Sequence, residues 1–143
     1  MKIDNKDFYH GAALTQITEH ESFKALNKAD GKYGHYLVNT DRRLLTKHSE
    51  QNDSWQFTFQ PADLQTLESD IKSGFKTFLV LVCGGETICL LDEAEFLQLI
   101  DLKASGQQWI RVSIPKASMR VHGSSGKLKH AIKHNGFPKR VFD

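Results

Sequence analysis

The sequence predicts one α+β domain over residues 1–143, with a mixed, largely antiparallel sheet and helices packed on it. Three observations lead there. A chain of 143 residues buries a sufficient core without disulfides or metals. Strand-like stretches and short helical stripes follow one another in the order α-β-β-β-α-β-β-α-β-β-α, which is not the regular βαβ alternation of a parallel sheet. No internal repeat, low-complexity stretch or linker-like composition shift divides the chain.

The elements follow in order. Residues 10–27 carry Ala12, Ala13, Ile17, Phe23, Ala25 and Leu26 in part of a 3.6-residue stripe and read as a helix, broken near Thr18–Ser22. His35–Thr40 and Arg43–Ser49 read as strands joined by a turn at Asp41-Arg42. In Trp55–Gln60 the residues Trp55, Phe57 and Phe59 alternate with Gln56, Thr58 and Gln60, the pattern of a half-buried antiparallel strand. Pro61 with Asp63 opens a helix carrying Leu64, Leu67 and Ile71, and Gly74 closes it. Phe78–Cys83 is apolar on both faces and reads as a central strand. Gly84-Gly85 turns it into Thr87–Leu91. Asp92–Ile100 is a short helix with Asp92 at its cap and Phe96, Leu97 and Ile100 on its apolar face. Trp109–Ile114 and Met119–His122 read as a hairpin. Lys127–His134, with Leu128, Ala131 and Ile132 inward, reads as a last short helix behind a Gly123–Gly126 loop.

Composition excludes several classes. Hydrophobic residues make up 39% and charged residues 25%, the balance of a globular protein rather than a disordered one. The longest apolar run, Phe78–Cys83, is far short of the roughly 18–20 residues of a membrane span. The polar N-terminus lacks the apolar stretch of a signal peptide, so a cytoplasmic location and no membrane partner are the expectation. Cys83 and Cys89 flank the Gly84-Gly85 turn and are expected to be buried free thiols.

Charge is distributed unevenly. Residues 1–102 hold ten Lys+Arg against sixteen Asp+Glu, a formal −6, and residues 103–143 hold nine against one, a formal +8. Such a split points to a polyanionic partner, DNA or RNA. Alternation places Trp109, Arg111 and Ser113 on one face of their strand, and Arg120 and His122 on one face of the next. Lys127, Lys129 and Lys133 extend the patch along the expected helix, and the Gly123–Gly126 loop offers amide donors to a phosphate. Trp109 is a stacking candidate.

Motifs with catalytic specificity are missing. Gly123-Ser124-Ser125-Gly126-Lys127 lacks the spacing of a nucleoside triphosphate loop. His130 and His134 have the i, i+4 spacing of a metal pair, but residue 131 is Ala where a zinc hydrolase needs Glu, and no third ligand stands near, so no metal site is expected. Asp63 and Asp70 fall on one helix, whereas two acids gripping one Mg²⁺ come from adjacent strands. Asp41 near the first hairpin turn and Lys47 in its second strand are the remaining catalytic candidates, for a Mg²⁺-dependent nuclease. The acid expected two residues before Lys47 is Leu45, so a degenerate core is as consistent as an active one. Mg²⁺ enters only with that reading, and no other cofactor is implied.

The α-β-β-β-α-β order of residues 10–83 resembles the restriction-endonuclease-like core. Tyr9-His10-Gly11-Ala12-Ala13-Leu14, Tyr36-Leu37-Val38-Asn39, Lys47 with Ser49, Trp55–Phe59, Leu81-Val82-Cys83, Ile88-Cys89 and Asn135-Gly136-Phe137-Pro138 together resemble a family of small, uncharacterised bacterial single-domain proteins. That likeness implies a self-standing domain and carries no functional residues over. The expectation is therefore a nucleic-acid-interacting module rather than an enzyme, whose face comprises Trp109, Arg111, Arg120, His122, Lys127, Lys129 and Lys133. The alternatives are the nuclease using Asp41 and Lys47, and a protein-interaction or homodimerisation module using Trp55–Phe59 as a sheet edge.

Overall fold

A computed structural model describes residues 1–143. The chain runs α1 (Asn5–Thr18), β1 (Leu26–Lys28), β2 (His35–Val38), β3 (Arg42–Ser49), β4 (Ser54–Phe59), α2 (Pro61–Lys72), β5 (Lys76–Cys83), β6 (Thr87–Asp92), α3 (Glu93–Phe96), β7 (Gln108–Ser113), β8 (Arg120–Gly123) and β9 (Gly126–Lys127). The fold is α+β, with the strands in two sheets rather than one. Five form a mixed sheet in the order β1-β2-β3-β5-β6, and four form an antiparallel sheet in the order β4-β7-β8-β9. Only β3 and β5 run parallel. No helix is long and apolar enough to cross a membrane.

The two-faced strand Phe78–Cys83 explains the layering. Leu79, Leu81 and Cys83 of β5 enter one core with Trp55, Phe57 and Phe59 of β4, Leu64 and Leu67 of α2, and Ile110 and Val112 of β7. Phe78, Val80 and Val82 enter a second core with Ala13 and Ile17 of α1, Phe137 and Val141. The mixed sheet is thus the middle layer. The antiparallel sheet and α2 cover one face, and α1 with the C-terminal segment covers the other. Cys83 and Cys89 are buried free thiols in the first core.

Three expectations are corrected. The first helix is shifted: α1 begins at Asn5 behind an Asp4–Asp7 capping box and ends at Thr18, while Leu26 belongs to β1. Residues 127–133 are not helical, and His134 opens only a short 3-10 turn, His134–Gly136. Leu128 N–H donates to Val121 O at 3.0 Å, and Met119 and Ile132 exchange backbone hydrogen bonds of 3.0 and 2.9 Å. The apolar residues that mimicked a helical stripe are the strand-like lining that closes the antiparallel sheet. Within residues 10–83, β4 leaves the mixed sheet for the other one, so that stretch is not a single-sheet α-β-β-β-α-β unit.

Buried polar groups tie the layers. His35, with no exposed side-chain surface, has acceptors at both ring nitrogens: Ala29 O at 3.2 Å from Nδ1 and Asp70 Oδ2 at 2.6 Å from Nε2. Arg43 Nη1 bridges Asp70 at 3.1 Å and Asp30 at 3.3 Å. The Asp30, His35 and Asp70 ligand atoms lie within 4.8 Å of one another, but the guanidinium already supplies the cation there, so the cluster is a structural clasp between β2, β3 and α2. A second clasp is built on Arg140, which donates to Asp92 Oδ2 at 2.9 Å, Glu95 Oε1 at 2.7 Å and Leu90 O at 3.2 Å. One of the nine late cations is therefore an internal tie.

Candidate functional site: a cationic sheet face and the cleft beside it

Residues opposite one another in an antiparallel ladder point to the same face. The register of the four-stranded sheet therefore aligns Gln56, Arg111, His122 and Lys127 in one row across all four strands. The next row holds Ser54, Ser113 and Arg120, and the row on the other side holds Thr58 and Trp109. The opposite face carries Phe57, Ile110, Val112 and Val121 and is buried. Alternation thus sends Ile110, Val112 and Val121 inward and Trp109, Arg111, Arg120 and His122 outward, the faces that the sequence predicts.

The outer face is ordered by its own contacts. Arg111 Nη2 donates to Gln56 Oε1 at 2.6 Å. The Trp109 and His122 rings meet edge to face at 5.4 Å. Arg120 Nη1 donates to Lys129 O at 3.0 Å, and Arg120, His122, Lys127 and Lys129 line one shallow depression of about 450 Å³. Lys133 is placed apart. It lines a different depression with Glu95, His130 and Arg140.

The Gly123–Gly126 loop does not offer free amides. It is the tight turn between β8 and β9, and Ser124 and Ser125 N–H donate to Trp109 O and Leu99 O at 3.0 and 2.9 Å. Side chains at Gly123 and Gly126 would lie 2.4 Å from Leu99 O and Gln98 O, so the loop is pressed against the α3 end with its donors consumed. The two histidines spaced i, i+4 also diverge. His130 Nε2 pairs with Glu95 at 2.8 Å, while His134 bonds Thr87 and Ala117 O.

Asp41 and Lys47 are not brought together. Six residue steps along the strand separate them by about 20 Å. Asp41 is paired with Arg42 on the exposed surface, and the carboxylate at Lys47 is Asp63 of α2, 3.0 Å away. Asp63 also takes Lys32 at 2.9 Å and Gln60 N–H at 3.0 Å. Burial alone would raise the Asp63 carboxyl, but the two ammonium groups and the amide outweigh it and hold the pKa below its usual value. One carboxylate engaged by two lysines is a poor Mg²⁺ ligand, because the metal would have to displace both.

Trp55–Phe59 is indeed an edge strand, β4. Its aromatic side chains face the core, however, and Gln51 Oε1 accepts the Gln56 N–H at 2.9 Å, occupying a donor that an added strand would need.

Sequence reasoning missed the cleft that Lys47 enters. β2 has four residues and β3 eight, so Thr46–Ser49 lie past the last β2 partner, at Leu45. A cleft of about 510 Å³ opens there, lined by Lys6 and His10 of α1, Lys32 and Tyr33, Thr46–His48 of β3, Gln56–Thr58 of β4 and Asp63. Gln56 and Thr58 belong to the outer face of the antiparallel sheet as well, so cleft and sheet face are continuous. His10 is 5% exposed, and burial followed by the neighbouring His48 lowers its pKa to about 4, leaving the imidazole neutral at pH 7. Burial and the hydrogen bond to Asp7 raise Tyr33 to about 12. No protein-family model, curated protein or solved structure matches the chain.

Proposed function

We propose that this protein is a nucleic-acid-interacting module that engages the phosphate backbone of DNA or RNA across the outer face of its antiparallel sheet. The row Gln56-Arg111-His122-Lys127 carries the reading. Arg111 and Lys127 stand in that row on either side of the His122 ring, on strands spaced about 4.8 Å apart, flanked by Arg120 and Lys129, and the half-buried Trp109 offers a ring face beside them. The lone Asp63 carboxylate, already engaged by two lysines, gives the nuclease alternative no comparable support.

Fluorescence anisotropy with labelled DNA and RNA, titrated at several salt concentrations, tests it. Affinity falls steeply with salt in the wild type. Arg111→Ala, Lys127→Ala and Lys129→Ala each reduce the log–log salt slope by about 0.7–0.9 for every phosphate the side chain neutralises. Lys133→Ala, on a separate surface, has a smaller effect. Absent or salt-insensitive binding overturns the reading.

A further inference from the structure

The cleft beside the sheet face has the composition of an anion site. Three ammonium groups, on Lys6, Lys32 and Lys47, line it with a single carboxylate, Asp63. Lys32 and Lys47 each use one bond on that carboxylate, and an ammonium carries three protons, so both keep donors for a second acceptor. The Lys6 ammonium lies 4.3 Å from the Tyr33 ring centroid and has no carboxylate partner. The backbone adds a donor. Thr46 N–H points toward the β2 side, donating to Gly34 O at 2.7 Å. Strand alternation sends His48 N–H to that same side, beyond the end of β2.

Two buried polar side chains lie beneath these donors. His10 and Thr46 line the cleft at 5% and 3% exposure, and His10 Nδ1 and Thr46 Oγ1 have no hydrogen-bond partner in the protein. Both atoms are themselves sealed from the surface, with His10 Nδ1 set against Gly34, so contact with a ligand falls to the lysines and the strand-end amide. We infer that this cleft binds a phosphomonoester group, as inorganic phosphate or at the end of a nucleotide, with Lys32, Lys47 and His48 N–H as donors and Lys6 at the rim. A dianion matches the excess of cations over the one carboxylate, and the volume suits a nucleoside monophosphate. This goes beyond the sheet-face reading and does not depend on it.

Backbone NMR of the full chain, titrated with sodium phosphate at constant ionic strength against a sodium chloride control, tests the inference. Saturable shifts centred on Lys32, Thr46 and His48 are expected, with affinity at least tenfold weaker in Lys47→Gln. Because Lys47→Gln also loosens Asp63, the exposed Lys6→Gln serves as a second variant, expected to weaken binding about threefold at unchanged fold. A nucleoside 5′-monophosphate that binds tighter than inorganic phosphate points to a nucleotide; equal affinity points to the free anion; either supports the site. Shifts that never saturate, or that neither substitution weakens, overturn it. An unphosphorylated oligonucleotide of roughly ten residues reads the sheet face separately: if it fails to bind while phosphate still occupies the cleft, only the sheet-face reading falls.

Discussion

Arg111 on β7 donates a 2.6 Å hydrogen bond to Gln56 on the edge strand β4, and through Gln56 the cationic sheet face joins the cleft under α1. The two surfaces are one continuous region, so a substitution at the joint is felt on both. Gln56→Ala removes no charge. It is expected to free the Arg111 guanidinium and to weaken oligonucleotide binding severalfold while leaving the salt slope unchanged, in contrast to Arg111→Ala. Anisotropy at two or more salt concentrations separates the two outcomes.

His10 gives the protein an acid-sensitive joint. Its folded pKa of about 4 lies below the ordinary value near 6.5, so between those values the unfolded chain binds the extra proton. Stability from this group is complete above about pH 6.5 and is lost as pH falls toward 4, by roughly 3 kcal/mol in all. The groups facing it are His48, Tyr33, Lys6, Lys47 and Asp7. Urea midpoints measured from pH 7.5 to 4.5 are expected to fall in the wild type and to fall much less in His10→Phe. Parallel curves would show that another group titrates.

Arg140 is expected to matter for stability rather than binding. Arg140→Met leaves Glu95, which is 7% exposed, and Asp92 without their cation, and costs about 2–3 kcal/mol. Burial opposes ionisation of Glu95, but its bonds from Asp92 N–H, His130 and Arg140 keep its pKa lowered. That contribution is present above the carboxyl's ordinary pKa and lost below it, so the gap between wild type and variant narrows under acid. Thermal melts at pH 7 and pH 3.5 check both parts.

The non-helical course of residues 127–133 separates two substitutions that a helix would penalise together. Ile132→Ala removes a buried side chain bonded opposite Met119 and is expected to cost about 2–4 kcal/mol. Ala131→Gly, which in a helix costs about 1 kcal/mol, is expected to be nearly neutral. Chemical denaturation of the two variants distinguishes the conformations.

Much of the fold is legible in the chain because local pattern and tertiary environment agree. Trp55, Phe57 and Phe59 alternate and face the core together, Phe78–Cys83 is apolar throughout and sits between two cores, and Pro61 opens its helix as expected. The outer row of the antiparallel sheet follows from the same alternation. Where pattern and environment part, the reading fails. Leu128 and Ile132 have helical spacing, but β8 and Met119 capture them as strand partners. The first turns of α1 hold Asn5, Lys6, Asp7 and an exposed Phe8, so no apolar stripe announces them. The cleft is illegible for a different reason. Its cations come from α1, the segment before β2, and β3, all inside the part of the chain whose net charge is negative. A sum over sequence cannot show that three lysines converge while the surrounding acids are spent on His35, Arg43 and Tyr33.

The parallel pairing of β3 with β5 carries a last consequence. Between these neighbours the chain crosses to the other sheet as β4 and returns as α2, so the central layer is completed only by a path through the outer one. Neither sheet is a separable half. Amide exchange in β5 and in the β4–β7 ladder is therefore expected to report one common opening, in which the outer sheet and the middle of the protein come apart in a single event.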